Sequence, residues 1–127
     1  MLQKIKMVKK ARKAVESLYE GTCNVIEHQK VKQKNGATTF EDITVLKNQP
    51  CRLSFKAINS INQNENNLSS EITQVTILFI NPDIKIKPGS KIVVTQNDVT
   101  KEYKQSGEPA IYATHQEIIL ELFKRWS

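Results

Sequence analysis

At 127 residues and 14.5 kDa, the chain has room for one domain with one modest core and for little besides. Hydrophobic residues make up 39 % of it and aromatics 6 %, lean for a packed enzyme of this length. The longest apolar run, 75–80, is broken by Thr76 and is far too short to span a bilayer. The net charge of +6 belongs to one element: Lys4, Lys6, Lys9, Lys10, Arg12 and Lys13 fall in the first thirteen residues with no acid among them. The rest of the chain balances thirteen basic residues against thirteen acidic ones. A nucleic-acid-binding barrel spreads Lys and Arg over a sheet face and interleaves aromatics, which this pattern does not do. Cys23 and Cys51 are too few for a disulfide scaffold or a four-cysteine metal site. They are expected as reduced thiols in a protein made in a cytoplasm, and no secretion signal is visible at the start of the chain.

Residues 3–20 read as a helix. Ile5, Val8, Val15 and Leu18 recur at helical spacing, Ala11 and Ala14 favour the conformation, and Gly21 is a natural stop. The stripe is narrow and its side chains small, so one side packs and the other faces carry lysines. Such a helix either rests solvated on its own domain or docks on a partner.

From Thr22 onward the texture is β. Segments 22–34 and 37–46 flank Asn35-Gly36, a strong hairpin-turn signal, and their polar ends predict a hairpin that projects from the body. After Pro50, Cys51, Leu53, Phe55 and Ala57 alternate on one face of a strand. Residues 71–80 alternate again, with Val75, Ile77 and Phe79 pointing one way. Lys87-Pro88-Gly89-Ser90 fits a type II turn between short strands at 84–86 and 91–95. A polar strand follows at 99–105. Residues 116–126 suit a half-buried strand and a helical face equally well on periodicity alone. Between two strands lies an expected twelve-residue polar loop, 59–70, with no Gly or Pro and five asparagines. Loops of that length are functional or disordered, and a partner that orders this one reconciles the two.

Sites for chemistry are scarce. His28 and His115 have no neighbour at metal-ligand spacing, and no Gly-rich phosphate loop exists. Glu41 and Asp42 are adjacent on a strand and point to opposite faces. A Cys51/His115 nucleophile pair is conceivable, but Cys51 alternates with Leu53 and Phe55, the pattern of a core thiol. No cofactor, metal or catalytic site is expected, and the profile is that of a contact-making module, not an enzyme.

The order of three motifs carries a resemblance. Pro50-Cys51-Arg52-Leu53-Ser54, then Asn81-Pro82-Asp83 with Ile86-Lys87-Pro88-Gly89-Ser90-Lys91-Ile92, then Gly107-Glu108-Pro109 with Tyr112-Ala113-Thr114-His115-Gln116-Glu117 together resemble the phage head-closure proteins. These are stopper-type head–tail connector components, here closest to the group of PBSX-type prophages. The resemblance runs from the N-terminal helix to the last strand. It implies a mainly β fold, a small β-barrel or sandwich with an N-terminal α-helix and a projecting hairpin, in one connector domain over 1–127. It also implies a non-catalytic homo-oligomeric ring in the neck of a virion or phage-tail-like particle, assembled in the bacterial cytoplasm, and it favours a strand at 116–123.

In such a ring the neighbours are a portal or adaptor protein on one side and a tail terminator or tail-tube protein on the other, with no membrane contact. The segment Asn62, Gln63, Asn64, Glu65, Asn66 and Asn67 corresponds to the stopper's channel-facing loop, where DNA in the channel is a further contact. Neutral amides from many copies can hydrogen-bond across a pore without crowding like charges. Lys4, Lys6, Lys9, Lys10, Arg12 and Lys13 form a docking helix for an acidic neighbouring ring, or else touch phosphates in the channel. The alternatives are the collar protein of a contractile tail-like bacteriocin and a monomeric OB-type nucleic-acid-binding barrel.

Overall fold

The computed structural model describes residues 2–64 and 67–126, without the side chains of 2, 59–64 and 67–72. The fold is mainly β with one N-terminal helix. Helix α1 spans Leu2–Glu16 and is shorter than its periodicity predicts. The Leu18 N–H donates to the Val15 carbonyl and the Tyr19 N–H to that of Glu16, and these three-residue-back bonds tighten the chain out of the helix. Leu18 therefore leaves the apolar stripe and stands exposed.

Seven strands follow: β1 (Gly21–Lys32), β2 (Thr38–Asn64), β3 (Asn67–Ile80), β4 (Lys91–Gln96), β5 (Val99–Gln105), β6 (Ala110–Ile111) and β7 (Gln116–Leu122). All pairings are antiparallel, in the order β3-β2-β1-β4-β5-β7-β6. A further pairing of β3 with β7 closes the sheet on itself. The ambiguous C-terminal segment is thus a strand over Gln116–Leu122, because it is the piece that closes the ring.

Local chemistry explains the corners. The β1–β2 turn uses Lys34-Asn35-Gly36: Gly36 takes a φ of 85°, its N–H bonds the Gln33 carbonyl, and the Asn35 side chain accepts from the Ala37 N–H. Asn97 and Asp98, both at positive φ, make the tight turn between β4 and β5. The type II turn at Lys87–Ser90 forms as expected, with Gly89 at φ 87° and a Ser90 N–H to Lys87 carbonyl bond. Where β1 begins at Gly21, the Gln96 side chain takes over pairing with β2. Its Oε1 accepts from the Leu53 N–H at 2.8 Å and its Nε2 donates to the Leu53 carbonyl at 3.2 Å.

The core holds Cys23, Val25, Cys51, Leu53, Leu78, Ile80, Ile92, Val94, Tyr103, Ile118 and Leu120. Three expectations need correction here. Phe55 and Ala57 continue the Cys51/Leu53 alternation, yet Phe55 is 53 % exposed against 8 % for Leu53. It stands at the open mouth of the ring, beside Val94, Val99 and Tyr103. Val75, Ile77 and Phe79 share one face as expected, and that face is the outer one, because the parity that points inward is that of Leu78 and Ile80. Residues 84–86 are not a strand, although Ile84 and Ile86 pack against the core.

The third correction concerns the polar segment. It is not a loop over 59–64 and 67–70: β2 and β3 stay paired from Cys51↔Ile80 to Asn64↔Asn67. Once the apolar pairs near Leu53↔Leu78 fix the register, the ladder runs on through polar sequence that contains no Gly or Pro to break it. Glu65 and Asn66 lie outside the described residues.

One buried polar side chain ties the corner after β3. Gln116, almost fully buried, donates from Nε2 to the carbonyls of Asn81 (2.8 Å) and Ile84 (2.6 Å). Gln116→Leu leaves those acceptors without this donor and is expected to cost about 1–3 kcal/mol, measurable as a lower urea midpoint. An unchanged midpoint would show that the corner does not depend on the amide.

Candidate interaction surfaces

Three features extend from the closed sheet. The first is the β2–β3 hairpin. β7 accompanies β3 only over Thr76–Ile80, so β3 from Asn67 to Val75 has β2 as its only strand partner among the described residues. At about 3.4 Å per residue this two-stranded arm reaches about 30 Å. A two-stranded ribbon is marginal by itself in water, and neither outer edge of this one pairs with a further strand among the described residues. The side chains of Asn62, Gln63, Asn64 and Asn67 lie outside the described residues, as do Glu65 and Asn66 entirely.

The second feature is α1. Lys4, Lys6, Lys9, Lys10 and Lys13 are exposed, and none makes an ion pair among the described residues. Arg12 differs from the expectation that it docks a partner. It is half-buried, and its Nε donates to the Ala113 carbonyl at 2.8 Å while Nη1 pairs with Asp83 at 2.7 Å. One turn on, Glu16 accepts from Asn81 Nδ2 at 2.7 Å. Arg12 and Glu16 thereby fasten the C-terminal half of the helix to the corner formed by Asn81, Asp83 and Ala113. Those corner residues sit in the motifs Asn81-Pro82-Asp83 and Tyr112-Ala113-Thr114-His115-Gln116-Glu117, so these motifs hold the helix and the sheet together.

The third feature was not legible in the sequence. His28 of β1 is stacked between Phe40 of β2 (centroids 4.7 Å apart) and Trp126 (4.9 Å), and its Nδ1 lies 2.8 Å from Asp42 Oδ1. Trp126 packs edge-on against Phe123, and Lys91 Nζ lies 4.8 Å and 5.3 Å from the two ring centroids while pairing with Glu102 at 3.1 Å. This cluster binds the segment after β7 to the base of the β1–β2 hairpin and so sets the direction in which that hairpin leaves the body. Its members lie far apart along the chain, and no spacing rule links them.

The groups considered for chemistry are separated. Cys51 and Cys23 are both buried inside the sheet, whereas His115 stacks on Tyr112 and on the outer-face Phe79 and pairs with Glu117 at 3.0 Å. A hydrogen bond with Cys23, then burial, push the Cys51 thiol well above its ordinary range. Both thiols are expected to resist alkylation in the folded protein and to react once it is denatured; rapid labelling of native Cys51 would contradict this placement. Among the described residues, no group of three or more His, Cys, Asp or Glu side chains is placed to hold a metal. No described helix is long and apolar enough to cross a membrane.

Comparison with known proteins gives one likeness and two blanks. No family model matches the chain, and no curated protein matches it. Among solved structures it is similar to the phage-like element PBSX protein xkdH from Bacillus subtilis, at 13 % identity and a TM-score of 0.46 over 80 % of this chain and 91 % of that one.

Proposed function

We propose that this chain is a non-catalytic ring component of a phage neck, which joins the portal or adaptor side to the tail and narrows the channel with its β2–β3 hairpin. The observation that carries the reading is the hairpin itself. A closed sheet has no edge to offer a partner, yet this one sends out a long two-stranded arm whose backbone edges are open. Such an arm becomes stable when copies from neighbouring subunits, or a partner, cover it. The exposed lysines of α1, fastened at one end only, supply a cationic arm for an acidic neighbouring ring. The motif resemblance described from the sequence supports the same reading.

Shortening the hairpin by removing 62–67 tests the gate. The monomer's stability should change little, because the lost pairs, such as Asn62↔Ser69 and Asn64↔Asn67, lie at the far end of a two-stranded ribbon that is marginal by itself and beyond the part of β3 that pairs with β7. Phage particles built with the shortened chain should lose packaged DNA. Normal DNA retention would refute the gating role while leaving the ring role open to separate test. Salt-sensitive DNA binding by a chain absent from particles would instead favour the OB-type alternative.

A further inference from the structure

No run of the sequence interleaves lysines with aromatic residues, but the register of the β1–β2 hairpin does. His28 sits opposite Asp42, Lys30 opposite Phe40 and Lys32 opposite Thr38, and directly opposed residues share one face of a ribbon. That face therefore carries His28, Lys30, Lys32 and Phe40, with Lys34 in the turn just beyond. Its one acid, Asp42, lies 2.8 Å from the His28 ring. The opposite face holds Glu27 and Glu41 and no lysine, and the Glu27 carboxylate accepts from Gln29 at 2.7 Å. The hairpin is thus a ribbon with a cationic side and an anionic side.

The rings on the cationic side form a column that is closed at one end and open at the other. Trp126, His28 and Phe40 stack nearly parallel, with interplanar angles of 15° and 5°. Beyond Trp126 the column is capped by Phe123, edge-on, and by Lys91, which also pairs with Glu102. Beyond Phe40 no further ring follows among the described residues. Phe40 is 56 % exposed, and the Lys30 ammonium stands 5.9 Å from its centroid. Lys30, Lys32 and Lys34 make no ion pair among the described residues. Lys87 adds a fourth such lysine at the cleft beside the column, where Glu27 is the acid present. An open aromatic face among unpaired ammonium groups fits a guest that is flat, π-rich and regularly anionic.

We propose that this face of the β1–β2 hairpin binds single-stranded nucleic acid, with one unpaired base stacked on Phe40 to extend the column and the flanking phosphates on Lys30, Lys32 and Lys34. A duplex offers the lysines its phosphates but keeps its bases from the ring. An acidic protein segment offers charge without one flat ring beside each charge. The site is separate from the lysines of α1 and from 62–67. The inference is independent of the neck assignment, since it is read on the chain in solution with no particle present.

Fluorescence anisotropy of a short labelled thymidine oligonucleotide, titrated with the full chain over a salt series, tests it. Three phosphate contacts predict a slope of log affinity against log salt of about −2. Phe40→Leu should weaken binding about tenfold and leave that slope unchanged, because it removes stacking and no charge; Phe40→Trp should keep the affinity. Replacing Lys30, Lys32 and Lys34 together by Gln should flatten the slope. All these positions are exposed, and each variant is checked for an unchanged thermal midpoint. No binding, a duplex of the same length bound as tightly, or affinity unmoved by Phe40→Leu would each overturn the proposal. Polyglutamate that competes as well as unlabelled oligonucleotide would overturn it in favour of an acidic protein segment.

Discussion

Leu78→Ala is expected to destabilise the domain by about 2–5 kcal/mol, a large fraction of what a single domain has, whereas Phe55→Ala should cost no more than about 1 kcal/mol. Leu78 is fully buried among Leu53, Ile80, Ile118 and Leu120, on the strand that closes the sheet against β7. Its truncation leaves a cavity at the seam of the ring. Phe55 belongs to the same face of β2 as Leu53 but stands at the mouth with half its surface in water. Urea denaturation of the two variants measures the difference directly. Equal and large losses would mean that the closed sheet extends further along the hairpin than Cys51–Leu53, and equal small losses would mean that the core lies elsewhere.

The second large effect concerns assembly. Replacing Lys6, Lys10 and Lys13 together by Glu turns three positive charges into three negative ones on one exposed side of α1. None of the three contributes to the fastening by Arg12 and Glu16, so the thermal midpoint should hold. Incorporation into particles should fall by at least about tenfold, since like charges set against an acidic neighbour cost several kcal/mol and slow the encounter. Normal incorporation would remove the docking helix from the account.

Much of the architecture was legible because it follows from local chemistry. Asn35-Gly36 and Lys87-Pro88-Gly89-Ser90 are turns for reasons internal to a few residues, and the structure keeps both. The basic helix was visible in its alanines and its stripe, although its last turn was not: Leu18 has the right spacing, but the chain must turn at Ser17 to enter β1 at Gly21. Close packing explains that glycine, since a Cβ there would come within 3.1–3.2 Å of the Thr95 and Cys51 carbonyls and of Gln96. What the sequence could not show is how far each strand runs beyond the body. The alternation of Cys51, Leu53, Phe55 and Ala57 continues without a break, and nothing local marks Leu53 as the last residue inside. Likewise, the asparagine-rich 59–64 and 67–70 pair because a neighbouring strand is already in register, a tertiary cause that propensity does not carry.

The candidate surfaces divide along the same line. The lysines of α1 were apparent as a charge cluster, but the assignment of Arg12 to Asp83 and Ala113 needs the 81–83 corner and the β6–β7 connection to meet, 71 and 101 residues downstream of it. The stacked cluster of His28, Phe40, Phe123 and Trp126 arises from two distant segments brought together by closure of the sheet. The apolar parity of Val75 and Ile77 was visible, whereas its outward direction follows only from the pairing of β3 with β7.

The measurement that tests the central claim most directly is mass spectrometry of purified particles from the host that encodes this chain, followed by imaging of the neck. The account predicts a ring of this chain between the portal side and the tail, with the β2–β3 hairpins turned toward the channel. If a capsid is present, the ring belongs to a phage; without one, it belongs to the collar of a tail-like particle. Intact particles that lack the chain would contradict the ring reading.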